Sequence, residues 1–222
     1  MPADAIGAVL PSALAIALSP IPIVAVVVVL GGPHARKSGP AFALGWIAGL
    51  VTLTAALTVL LGGDADDDAG GPLDALLAVV GAVLLVLAAL QWRSRPRAGE
   101  PPKTPSWMAG VDGLPPPKSA LLGASLSTVN PKNLALVLSG AASIAQAGLG
   151  RAGAALAVGA FSAIASLSVV GAVALYLLAP ERAAGPLGAV RRFMVSRGAV
   201  VLAAILLALG LKFLADGLGG LL

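Results

Sequence analysis

The chain has 222 residues, 58% of them hydrophobic and 11% charged, with a mean hydropathy of +0.98. Soluble domains carry roughly 25% charged residues, so this composition belongs to a polytopic membrane protein with no room for a large soluble domain. The absence of cysteine excludes disulfides and thiolate metal sites, and the single histidine, His34, excludes His-based metal sites and triads. Aromatics at 4% give no stacking surface for nucleic acid, so no cofactor, metal or nucleic-acid partner is expected.

A crossing of the ~30 Å hydrocarbon core takes about 20 apolar residues. The first such segment covers residues 5–30. It has no Lys or Arg ahead of it and carries Asp4 instead, which reads as a retained span and not a signal peptide. A straight helix of that length would reach about 39 Å, so a break or tilt is expected. Ser19-Pro20-Ile21-Pro22 supplies the break, because Pro20 and Pro22 remove two backbone N–H groups. Ser12 and Ser19 lie at helical spacing on one face.

The second span, residues 40–61, carries Thr54 and Thr58 at i, i+4, with Gly45 and Gly49 for close packing. Asp64, Asp66, Asp67 and Asp68 follow as a solvated acidic loop. Ala69 and Ala75 stand where a calcium loop needs its glycine and its bidentate glutamate. The third span, residues 72–92, ends on Trp92 as an interfacial anchor. Residues 93–116 form a Pro-rich linker, read as an extended tether whose basic cluster meets anionic lipid heads.

The fourth span, residues 117–140, is interrupted by Asn130-Pro131-Lys132-Asn133. Pro131 exposes a carbonyl near Ser127, and Ser125, Thr128 and Lys132 at i, i+3 and i+7 are expected on one face. An ammonium at mid-bilayer costs ~2.5–3.5 kcal/mol, which argues for function; the alternative is a lysine that snorkels to the outer interface. The fifth span, residues 152–178, carries Ser162 and Ser166 at i, i+4, as structural glue or cavity lining, with Gly159 and Gly171 as packing glycines. The sixth covers residues 198–218 and contains Lys212.

Of the 14 Lys and Arg, only Arg151, Lys132 and Lys212 fall outside the odd-numbered loops. Arg36 and Lys37 sit in loop one, Arg93, Arg95, Arg97, Lys103 and Lys118 in loop three, and Arg182, Arg191, Arg192 and Arg197 in loop five. The positive-inside rule then makes those loops cytoplasmic and places both termini outside.

Three spans on either side of the linker lie in opposite orientations, the geometry of an inverted repeat. The expected fold is all-α, with six transmembrane helices as two inverted three-helix repeats, residues 1–92 and 117–222, joined by a cytoplasmic linker over 93–116. Helices 1 and 4 are broken at prolines. The stretch from Ala43 to Leu50 resembles that from Ala157 to Ile164, with small residues at matching places. The matched breaks define a candidate substrate site: Ser19, Pro20 and Pro22 from the first half, and Ser125, Thr128, Asn130, Pro131, Lys132 and Asn133 from the second. Thr54, Thr58, Ser162 and Ser166 are secondary cavity candidates. A half-helix N-terminus after Pro22, together with Lys132, favours an anionic group.

No carboxylate lies mid-span, no phosphate-cradling glycine motif occurs, and no nucleophile–base pair is visible, so an enzyme is not expected. Small-residue faces are compatible with a homodimer.

The proline break in span one and the Asn-Pro-Lys motif in span four resemble the LysE superfamily of exporters. Ile21 occupies the place where amino-acid exporters of that superfamily carry glycine between two prolines. The pattern is closer to the GAP or Sap-like branch, the peptidoglycolipid- and sulfolipid-addressing proteins. That resemblance implies a multi-pass protein of the bacterial cytoplasmic membrane that moves an envelope glycolipid or precursor. Membrane lipids, an anionic amphipathic substrate and an envelope-lipid synthesis or export machinery are its implied partners. Export of a small solute such as an amino acid, and a non-transporting scaffold for a lipid-export complex, are the alternative readings.

Overall fold

The computed structural model describes residues 2–62, 72–93, 110–111 and 113–221, and these residues form helices and turns without strands. The acidic run over residues 64–68 and most of the Pro-rich linker, with Arg95, Arg97 and Lys103, lie outside the described residues. In chain order the helices are α1 (Pro2–Ala17), α2 (Pro20–Gly31), α3 (Ala35–Leu61), α4 (Pro72–Arg93), α5 (Pro116–Thr128), α6 (Pro131–Gln146), α7 (Arg151–Ala165), α8 (Leu167–Leu178) and α9 (Pro180–Leu221).

Both expected breaks are present, and each has the same local cause. Ser19 and Asn130 adopt extended backbone, and a proline opens the helix that follows, where its missing N–H costs nothing. The α1–α2 pair bends by 50°. By length and apolarity, Ala35–Leu61 and Ala203–Gly220 can each cross a membrane, and two bent pairs bring the number to four. Those pairs are α1–α2 and α7–α8.

Three expectations need correction. The fifth segment is not one helix: α7 and α8 meet at Ser166 with a 59° bend. No proline causes this. The Ser166 hydroxyl donates to the Ser162 carbonyl at 2.7 Å, and the Ser166 N–H is shared between the carbonyls of Ser162 and Ala163, the back-bonding that bends helices. The basic loop five is also helical: α9 begins at Pro180 and runs unbroken for 42 residues. Last, Gly159 and Gly171 face open space and so are not packing glycines.

Gly45, Gly49 and Gly123 do pack. A Cβ at Gly45 would meet the Ala120 backbone, with its Cα at 2.9 Å, and one at Gly123 would lie 2.9 Å from Trp46 N. A Cβ at Gly49 would strike the Ser127 hydroxyl and come within 3.1 Å of Thr128 Cγ2. Helices α3 and α5 thus touch backbone to backbone and run parallel. Gly81 and Gly210 lock α4 to α9 in the same way: a Cβ on Gly81 would meet Leu214 Cα at 2.8 Å, and one on Gly210 would meet Leu85 N at 3.0 Å. That pair is antiparallel. Small residues permit such approach where lipid gives no hydrophobic drive for association.

The end of the linker is anchored. Val111 is buried, and the buried Ser38 hydroxyl of α3 donates to the Leu114 carbonyl at 2.7 Å. Gly113 has φ of +75°, a left-handed conformation that glycine adopts freely, and its N–H side lies against Gly32 in the α2–α3 turn.

Candidate functional site

The two breaks meet each other. In an unbroken helix the Ala15 carbonyl would accept the Ser19 N–H, but Ser19 donates instead to Ile16 O at 3.0 Å. The freed Ala15 carbonyl accepts the Lys132 ammonium at 3.2 Å. Lys132 therefore plugs the end of α1 from the first turn of α6, at 5% exposure. It points into the protein and does not snorkel to an interface. Among the described residues no carboxylate forms an ion pair with it; the one ion pair there joins Lys212 to Asp216 on an exposed face of α9. An ammonium held there by one neutral carbonyl would keep most of its demand for anionic partners.

The second break is mended from within. The Asn130 side chain accepts the Lys132 N–H at 3.1 Å and caps α6. Asn133 Nδ2 donates to the Leu126 carbonyl at 2.9 Å, reaching back across the gap. Ser127 and Thr128 hydroxyls both bond the Ala124 carbonyl at 2.8 Å. The helix stops at Thr128, so Ser125 and Thr128 do not share a continuous face with Lys132; both are half-buried on α5. Pro131 provides the first residue of α6. Replacing Asn133 with Leu is expected to remove the splint and lower the melting temperature in detergent, by an amount corresponding to ~1–3 kcal/mol for an abandoned buried carbonyl.

On the other side, Ser19, Pro20 and Pro22 are buried at the start of α2. Ser12 does not join them. It faces Ser139 of α6, with hydroxyls 3.4 Å apart, so α1 and α6 cross antiparallel through the Ser12–Ser139 and Ala15–Lys132 contacts. Thr54, Thr58, Ser162 and Ser166 are all buried. Ser166 is the structural glue at the α7–α8 bend, whereas the hydroxyls of Thr54, Thr58 and Ser162 have no hydrogen-bond partner. The role of the Ala15 carbonyl has no residue-type signal in sequence, because any residue carries that group.

A helical membrane protein whose interior joins two interrupted helices through a buried cation is the class that this geometry defines. The chain belongs to the Sap, sulfolipid-1-addressing protein, family, whose model matches residues 9–219. No curated protein and no solved structure matches the chain.

Proposed function

We propose that this chain is a secondary transporter, not an enzyme, that moves an anionic amphipathic lipid of the cell envelope across the bacterial cytoplasmic membrane. The observation that carries the reading is the Lys132 ammonium on the Ala15 carbonyl, where both interrupted helices end at one buried charge. Family membership supplies the substrate class, since the family is named for addressing sulfolipid-1. An anionic head group competes with the carbonyl for Lys132, while the lipid tails remain against the apolar helix faces. Exchange of these two partners, with rocking of one half against the other, gives alternating access.

Helix pairing supports six spans in an inverted repeat. Helix α1 packs on α7 as α5 packs on α3, α2 on α8 as α6 on α3, and α2 on α9 as α6 on α4. Each pair is the counterpart of the other when the first three spans are superposed on the last three. The α4–α9 contact joins spans three and six, which the repeat makes equivalent. Charge placement supports cytoplasmic odd loops. Arg36, Lys37 and Lys118 are exposed at the beginnings of the parallel α3 and α5, and Arg93 is exposed at the end of α4, beside the basic part of the antiparallel α9.

The test compares surface-extractable with total lipid by mass spectrometry in cells lacking this protein and in cells with it restored. One anionic lipid class should vanish from the surface, accumulate inside and return on complementation. Unchanged partitioning of every lipid class would overturn the reading.

A further inference from the structure

Hydroxyls inside membrane helices ordinarily bond the carbonyl one turn back, and several in this protein do. Ser127, Thr128, Ser143 and Ser166 each donate to such a carbonyl at 2.7–3.0 Å. Thr54, Thr58 and Ser162 do not, although at 0%, 8% and 2% exposure all three are buried. Asn133 Oδ1 and Trp46 Nε1 are also buried without a partner. Buried polar groups are hydrogen-bonded in the great majority of cases, so each of these orphans among the described residues needs an explanation.

Position supplies one. Thr54 and Thr58 are one turn apart and share a face of α3, whereas Trp46 lies two turns before Thr54, beside Gly123 of α5. Parallel α3 and α5–α6 touch at Gly49 with Ser127 and again where a Cβ on Gly62 would lie 3.9 Å from Ala145 Cβ. Thr54 and Thr58 lie between those two crossings on α3, and Asn133 lies between them on α6. Helix α7 packs on both α3 and α6: a Cβ on Gly140 of α6 would be 2.6 Å from the Phe161 ring, and the buried Ser162 lies on the same turn of α7. Thr54, Thr58 and Asn133 therefore lie on the stretches of α3 and α6 between these crossings, and Ser162 on the part of α7 that packs against them. Asn133 also borders the charged site. Consecutive helical residues diverge by about 100°, so Lys132 faces α1 while Asn133 turns away from it.

We propose that the α3–α6–α7 layer is a second, uncharged subsite that receives a neutral hydroxyl-bearing part of the transported head group, with water in its place when the protein is unloaded. It rests on the transport reading above for its role. The chemistry follows from the orphans: three hydroxyls give and accept, and the amide oxygen accepts. None carries charge, so the subsite discriminates by hydrogen-bond complementarity, and Lys132 reads the anion beside it. An apolar ligand would leave every orphan unpaired, which is a strong penalty for the wrong head group.

The natural lack of cysteine makes the test direct. Single Thr54→Cys, Thr58→Cys and Ser162→Cys variants of the full chain, in lipid nanodiscs, are treated with 2-sulfonatoethyl methanethiosulfonate. Leu50→Cys, Val137→Cys and Ala165→Cys, each at a fully buried apolar position, are the controls. Hydrated thiolate attacks this reagent and expels methanesulfinate, so the three polar positions should react at least tenfold faster than the controls. Octyl glucoside, a hydroxyl-bearing head on a short tail, should slow the reaction severalfold, whereas octyltrimethylammonium should not. Rates equal to the controls, or no protection by octyl glucoside, would overturn the subsite; if lipid export is meanwhile normal in cells, the transport reading stands without it. Thr54→Val with Thr58→Val gives a second readout. Loss of unpaired hydroxyls should leave the melting temperature unchanged or raised while export falls at least tenfold. A lowered melting temperature with normal export would show the hydroxyls to be structural and overturn the proposal.

Discussion

Cells carrying Lys132→Ala in place of the wild type should retain the substrate lipid inside and show none at the surface. The variant should still fold. Removing the ammonium deletes a buried charge whose insertion costs ~2.5–3.5 kcal/mol, and this offsets the ~1–3 kcal/mol for leaving the Ala15 carbonyl unpaired. The effect is therefore separable from expression. Lys132→Met, which keeps the unbranched stem without the charge, should fail equally, since the loss is electrostatic and not one of packing. Lys132→Arg should restore little, because a planar guanidinium cannot replace a compact ammonium at a site only 5% exposed. Normal surface lipid from a well-expressed Lys132→Ala protein would remove Lys132 from the transport mechanism.

The largest loss of stability is expected at Gly123. A valine there drives its Cβ into the Phe42 carbonyl and to 2.9 Å from Trp46 N. Both obstacles are backbone, which cannot rotate aside, so the change should exceed the ~1–3 kcal/mol common for overpacked cores and separate α5 from α3. Thermal unfolding in detergent should show a large fall in melting temperature or no folded protein at all. Gly159→Ala is the control. Nothing lies within 4 Å of its new methyl, and alanine favours the helix by roughly 0.5–1 kcal/mol, so its melting temperature should hold or rise. Equal melting temperatures for Gly123→Val and wild type would show that α3 and α5 do not pack as described.

The parts of this molecule that follow from local backbone chemistry were legible in the sequence. Pro20 and Pro131 cannot donate to the preceding turn, so the interruptions at Ser19 and Asn130 are written in residue type. The inward Lys132 was legible for a related reason, since its cost inside a bilayer demands a use. What sequence could not show is pairing between distant segments. Ala15 contributes a carbonyl common to every residue, and only the antiparallel crossing of α1 and α6 brings it to Lys132. The Ser166 bend lacks a proline; its cue was the Ser162/Ser166 spacing, which equally fits a hydroxyl bonded within a straight helix. Loop five read as a loop because Arg182, Arg191, Arg192 and Arg197 separate two apolar spans, but exposed charge does not end a helix, and Pro180 takes the first position of α9, where proline is welcome. Gly45 and Gly159 look alike in sequence, and only the neighbouring helix distinguishes them.

The continuity of α9 gives the molecule a mechanical link between its two environments. At 1.5 Å per residue, its 42 residues extend about 63 Å, twice the hydrocarbon thickness. The stretch from Leu187 to the start of the apolar part acts as a lever arm of about 17 Å, with Arg192 and Arg197 exposed along it. A tilt of about 10° about Gly210, where α9 grips α4 about 35 Å from Leu187, would swing the arm's far end by about 6 Å. Arg192 and Arg197 therefore move with the apolar half of α9, without any flexible joint between them.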